Sequence, residues 1–150
     1  MHNLQELGDR LEIQQTLMDY ANAIDRRDWD ALDAVFTPDA YIDYRAMGGI
    51  DGRYPQIKRW LAEVLPKFPA YYHLVGNFHI ELAGARARSR CACFNPMALP
   101  LPGGGTQVMF LGLWYADEWV RTPAGWRIER RVEEKCFDHN TPQGVRVEPS

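Results

Sequence analysis

Two residues stand out because their chemistry does not match their surroundings. Asp25 lies at the end of an apolar helical stretch, within "AIDRRDWDAL", where the negative end of the helix dipole disfavours a carboxylate unless a donor compensates it. His73 stands inside "YYHLVGNFHIEL", a run that otherwise reads as buried strand. Paired, the two would make a general-base dyad. A carboxylate that accepts from one imidazole nitrogen leaves the other unprotonated and oriented, and it stabilises the imidazolium formed once a proton is taken. Spacing alone leaves a second reading open, with His73 a structural histidine and Asp25 a solvated helix-end residue or a cap for the next helix.

The elements that must position this pair follow from periodicity. Leu4, Leu7, Leu11, Leu17, Tyr20, Ala21 and Ile24 recur at three- and four-residue intervals, which predicts one stripe of a long first helix, with Asn3 and Glu6 as its capping pair. A second short helix opens at Asp28 and carries Trp29, Leu32, Val35 and Phe36 before Pro38 stops it. "AYIDYR", residues 40 to 45, reads as a short strand, and "MGGIDGRY" as a glycine-rich loop leading to Pro55 in the first turn of a third helix. That helix presents Ile57, Trp60, Leu61, Val64 and Leu65 and ends before Pro69.

Four strands follow, over 71 to 82, 85 to 95, 106 to 121 and 126 to 137. "LAGAR" and "RTPAGW" read as hairpin turns, "PMALPLPGGG" as a longer loop and 138 to 150 as a polar tail. Helices first and strands afterwards predict one α+β domain over residues 1 to 150, a strongly curved sheet packed on three N-terminal helices. The interior of such a cone is the natural small-molecule site. Trp29, Tyr41 or Ile42, Tyr44, Trp60, Leu61, Phe110, Trp114 and Trp119 are candidates to line it; Trp29, Trp60, Phe110 and Trp114 are the expected substrate contacts. Asn77 and His79 share strand parity with His73 and would face the same way if no bulge intervenes.

Composition narrows the partners. With 17 basic against 20 acidic residues the net charge is −3, and no basic block is long enough to track phosphates, so nucleic acid is not expected. No apolar run approaches the roughly 18 residues of a membrane span, and the N-terminus lacks the pattern of an export signal, so the expected location is the cytoplasm. Cys91, Cys93 and Cys136 are odd in number and read as reduced thiols. Cys91-x-Cys93 lacks zinc spacing and the histidines form no HxxxH pair, so no metal is expected.

"IDRRDWDAL", "HLVGNFHIEL" and "GWRIERR" together resemble the SnoaL-like branch of the nuclear transport factor 2-like superfamily, over nearly the whole chain. Within it, their order and spacing are similar to scytalone dehydratase and hexachlorocyclohexane dehydrochlorinase. The resemblance implies a cone-shaped α+β barrel, a dyad of Asp25 and His73, proton abstraction by His73, no metal or organic cofactor, and a homotrimer. It also implies that Tyr44 helps hold a departing oxygen or acts as general acid, that Tyr20 stands where the dehydrochlorinase has a lysine, and that Arg131 assists the leaving group. Arg130 and Arg131 face opposite sides of a regular strand, and one bulge would exchange them. Ile24 replaces a tyrosine of the dehydratase, and Cys93, Asn95, Leu111 and Leu113 occupy the regions of its other polar partners.

The expected activity is a cofactor-independent lyase that eliminates water from a small, hydrophobic, cyclic hydroxylated substrate. Isomerase or cyclase chemistry begins with the same proton abstraction and stays open at this point. So does a non-catalytic role like that of the small subunit of ring-hydroxylating dioxygenases, which shares the fold.

Overall fold

The computed structural model describes residues 1–145. Helix α1 spans Leu4–Arg26 and opens with the expected capping box: the Asn3 side chain accepts from the Glu6 N–H, and the Glu6 carboxylate accepts from the Asn3 N–H. It ends at Arg27, whose left-handed backbone (φ 58°) turns its N–H back onto the Ala23 and Ile24 carbonyls. The inward stripe is as expected for Leu17, Tyr20, Ala21 and Ile24. Leu4, Leu7 and Leu11, however, face solvent, and Asp9, Ile13 and Thr16 are buried in the helix's first half. The reason is electrostatic. Asp9 forms a two-pronged ion pair with Arg121 (2.8 and 2.6 Å) and accepts from the Trp126 indole (3.0 Å), and this sets which side of the helix meets the sheet.

The second helical segment is a short 3-10 turn, Trp29–Ala34, capped by Asp28. Phe36 and Pro38 belong to strand β1, Phe36–Asp43, rather than to that helix. Pro38 falls where the pairing of β1 with the last strand slips between Phe36 and Tyr41, and a residue without an N–H is accommodated there because the ladder is already interrupted. A 3-10 turn (Arg45–Met47) and strand β2 (Asp51–Arg53) lead to helix α2, Tyr54–Val64, with Pro55 in its first turn. Strands β3 (Ala70–Tyr71), β4 (Leu74–Ala83), β5 (Arg86–Pro100), β6 (Thr106–Thr122) and β7 (Gly125–His139) follow.

These seven strands form one mixed sheet in the order β2-β1-β7-β6-β5-β3, with β4 also on β5. Only β1 and β7 run parallel. The sheet curls around the helices without closing, α1 lying against β4 and β7 and α2 against β1 and β2. The fold is thus the expected α+β cone. Several boundaries differ from expectation: β1 starts at Phe36 and ends at Asp43, the glycine-rich loop holds β2, and the expected strand 71 to 82 is split into β3 and β4. In addition, "PMALP" continues β5 as far as Pro100, and β7 runs through His139 into what reads as tail. The end of that tail, residues 146 to 150, lies outside the described residues.

β7 carries two extra residues against β6. Its pairing slips at Glu118/Trp119, leaving Glu129 unmatched, and at Gly112/Leu113, leaving Cys136 unmatched. The first slip moves Arg131 and Glu133 onto the concave face already occupied by Trp126 and Ile128, and turns Arg130 outward.

The Arg121 hydrogen bonds hold the Asp9 carboxyl down at about 2, below its ordinary value. A depressed folded-state pKa contributes stability above the unfolded value, and that contribution is lost as pH falls toward the folded one. Asp9→Asn should therefore lower unfolding free energy by about 1–2 kcal/mol at pH 6, allowing for the half-exposed arginine. The difference from wild type should shrink between roughly pH 4 and pH 2 in urea titrations at stepped pH.

Candidate active site

The dyad joins the last turn of α1 to a break between two strands. β3 pairs Tyr71 with Met97, β4 pairs Leu74 with Phe94, and between them the ladder breaks. Pro96 cannot donate there. Instead its carbonyl accepts from the Tyr72 N–H (3.1 Å), while the Asn95 amide donates to the Tyr72 carbonyl (2.9 Å). His73 thus lies between two strands and not within one, and its N–H is free of the sheet.

Asp25 takes up that N–H. One carboxylate oxygen accepts from the His73 backbone at 3.0 Å and the other lies 2.7 Å from ring Nδ1. Two donors supply the compensation that a carboxylate at a helix C-terminus requires. The juncture is fixed on both sides: Arg27 donates to the Phe68 carbonyl (2.6 Å), and the Tyr71 hydroxyl donates to the Ile24 carbonyl (2.8 Å). Tyr71 also packs edge-on to the His73 ring, with centroids 5.8 Å apart. A carboxylate only accepts, so neutral His73 carries its proton on Nδ1. Nε2, across the ring, has no hydrogen-bond partner among the described residues.

His73 lines an interior cavity of about 150 Å³. Its walls come from every layer: Tyr20 and Ile24 of α1, Tyr44 to Gly49 after β1, Trp60, Leu61 and Val64 of α2, Met97 of β5, Leu111 and Tyr115 of β6, and Glu133 of β7. Gly49 is required here. A Cβ on it would stand 2.8 Å from both the Trp60 ring and the Tyr44 carbonyl, the two groups that form this wall. The His73 side chain is 8% exposed and that of Asp25 21%, so the base is desolvated while the carboxylate keeps a solvated edge.

The far wall is polar but neutral. Tyr20 and Tyr44 share a 2.6 Å hydroxyl hydrogen bond. Burial raises the Tyr20 hydroxyl to about 12 and lifts those of Tyr44 and Tyr115 well above their ordinary value, so all three remain protonated donors. Burial, opposed chiefly by the nearby Arg131, also lifts the Glu133 carboxyl well above the usual carboxylate range. Glu133 is the functional candidate that sequence reasoning missed. Its signal was available: it lies two residues beyond Arg131, on the same face of β7.

The structure brings His73, Tyr44, Tyr20 and Trp60 together at this cavity, with Asp25 bonded behind the His73 ring. It does not bring the remaining candidates there. Arg131 is fully buried: its guanidinium holds Asp117 through two hydrogen bonds (2.7 and 2.8 Å), leaves Nη1 without a hydrogen-bond partner among the described residues, and is stacked among Tyr115, Tyr20 and Phe36. It supports the wall from behind instead of facing a leaving group. Trp29 packs beside the core away from the cavity, while Phe110 stacks on Phe94 and Trp114 lies under the Arg90 guanidinium, both on the outer side of the sheet. Trp119 is pure core, donating to Ser89, and Tyr41 turns outward to Asp51. A bulge between Gly76 and His79, with Asn77 at φ 51°, breaks the parity with His73. Asn77 and His79 are exposed, and His79 meets Glu81. Among the described residues no cluster of three metal-ligating side chains occurs, and no helix is long and apolar enough to cross a membrane.

Fold and cavity together define a SnoaL-like domain, whose family pattern matches residues 5–132, and the chain belongs to that family. A protein of Mycobacterium tuberculosis of uncharacterised function is 62% identical over 137 residues, covering 91% of this chain and 92% of that protein. Among solved structures, hexachlorocyclohexane dehydrochlorinase type 3 from Novosphingobium barchaimii superposes with a TM-score of 0.80 at 18% identity, covering 99% of this chain and all of that one. A candidate scytalone dehydratase from Novosphingobium aromaticivorans superposes with a TM-score of 0.81 at 18% identity, covering 96% and 94%. At such identities the likeness is one of fold.

Two outcomes test this geometry. Nitrogen NMR at a pH where the ring is neutral should show His73 protonated on Nδ1 and bare on Nε2, and Asp25→Ala should mix the two tautomers. Arg131→Met should destabilise the protein by about 3–5 kcal/mol by stranding buried Asp117, and adding Asp117→Leu should recover most of that loss in urea titrations.

Proposed function

We propose that the protein is a cofactor-independent lyase, a dehydratase acting on a small, hydrophobic, cyclic hydroxylated compound. One observation carries this reading: an imidazole anchored on Nδ1 by a carboxylate, with Nε2 unpartnered, on the wall of a mostly apolar cavity. In this reading Nε2 of His73 takes a proton from a carbon activated by a neighbouring carbonyl. Asp25 fixes the ring and stabilises the imidazolium. Tyr20 and Tyr44 stand ready to hold the departing oxygen by hydrogen bonds, as neutral donors in a dry site. Trp60, Leu61 and the methionine side chains supply the apolar contact for the ring. The dehydratase and dehydrochlorinase likenesses agree with elimination as the reaction class.

The bicyclic β-hydroxy ketone 3-hydroxy-1-tetralone is a suitable probe, since loss of water aromatises it to 1-naphthol. Wild type should form naphthol, with a mass lower by one water. His73→Ala should slow turnover by about a hundred- to ten-thousand-fold while melting temperature and uptake of unreactive 1-tetralone stay near wild type. Equal rates in the two proteins would remove the dyad from the chemistry.

A further inference from the structure

Elimination of water needs two proton transfers, and the dyad accounts for only one. Hydroxide is a poor leaving group, so the departing oxygen must be protonated as its bond to carbon breaks. Tyr20 and Tyr44 are weak candidates for that transfer. Their hydroxyls are already bonded to each other, and burial has made both weaker acids than free tyrosine.

The Glu133 carboxyl lines the same cavity; burial weakens it as an acid too, but it is a carboxylic acid and not a phenol, and its Oε1 is tied to no neighbour. It projects from β7 into the space that His73 also lines. Its Oε1 is sealed from solvent and has no hydrogen-bond partner. Arg131, two residues before it on β7, gives two hydrogen bonds to Asp117; its Nη1 is unpartnered among the described residues and makes no hydrogen bond to Glu133. An ionised carboxylate in such a place would leave a charged acceptor unmet; a protonated one is penalised less. The groups that sense its charge are Tyr20 on α1, Asp43 and Tyr44 at the end of β1, Cys93 on β5, Tyr115 on β6 and Arg131 on β7. Of these only Arg131 favours ionisation, and it is outweighed by burial. An acid shifted upward toward the working pH is better matched to proton transfer than a buried phenol.

We propose that Glu133 is the general acid of the site, delivering its proton to the leaving oxygen while His73 removes the proton from the adjacent carbon; this rests on the elimination reading. The balance is complete. The C–H electron pair becomes the new C=C bond, and the C–O pair leaves with oxygen. The Glu133 proton converts that oxygen to water. His73 is left as imidazolium and Glu133 as carboxylate, transiently favoured by Arg131, and the proton passes back from one to the other through the released water. No other reactant is consumed.

Glu133→Gln keeps the shape and a neutral hydrogen-bond donor but has no proton to transfer. With 3-hydroxy-1-tetralone its kcat should fall about a hundredfold or more, with KM within about twofold and an unchanged melting temperature. With 3-chloro-1-tetralone, whose chloride leaves unprotonated, the same variant should keep its rate within about threefold of wild type. His73→Ala should lose both reactions. If Glu133→Gln matches wild type on both compounds, or loses both in proportion, the general-acid role is overturned while the dyad stands. If wild type turns over neither compound, the elimination reading fails. Infrared difference spectra of wild type against Glu133→Gln then decide independently: a protonated carboxyl band that shifts when 1-tetralone enters supports a ligand-facing acid, and a missing or indifferent band overturns it.

Discussion

The site depends on one carboxylate answering two donors of the same residue. Asp25 accepts from both the backbone N–H and the ring of His73, so the histidine is held in position and in orientation by a single group. Charge-assisted bonds of this kind are roughly twice as strong as neutral ones. The arrangement is possible because the sheet releases that backbone N–H where Pro96 interrupts pairing, and because Arg27 ends α1 sharply enough to leave Asp25 in its last turn. Neither a longer helix nor a continuous strand would bring the two groups together.

Around this point the chain separates its charges. Asp25, behind the His73 ring, keeps a solvent-exposed edge, while the cavity wall holds hydroxyls and a carboxyl whose pKa values burial raises. Behind that wall the Arg131–Asp117 pair is wholly enclosed, its cation covered by aromatic faces. Such a pair adds little net stability compared with apolar residues, yet it fixes the positions of Tyr20 and Tyr115 firmly. The cavity thus gathers an imidazole with an unpartnered nitrogen and several hydroxyls in a low-dielectric setting.

Much of this was legible in the sequence, and the failures have common causes. Periodicity located α1, α2 and the long hairpins, and the conflict between Asp25 and its helix end pointed to His73. Periodicity failed in the first half of α1, where an aspartate and not leucine faces inward, because an ion pair to Arg121 lies a hundred residues away and leaves no local trace. Strand parity failed at His79 and missed Glu133, since a bulge shifts every side chain beyond it to the other face. Trp29, Phe110 and Trp114 were chosen for being large and aromatic, a property that marks burial or stacking without telling which side of the sheet is involved.

Met47, Met97 and Met109 all border the cavity. Thioether side chains are unbranched and rotate readily, so this part of the lining yields to the shape pressed against it. Discrimination by fit alone is then weak on this side of the cavity. The same sulfurs can take an oxygen atom from peroxide and become polar sulfoxides, which would make this part of the lining polar.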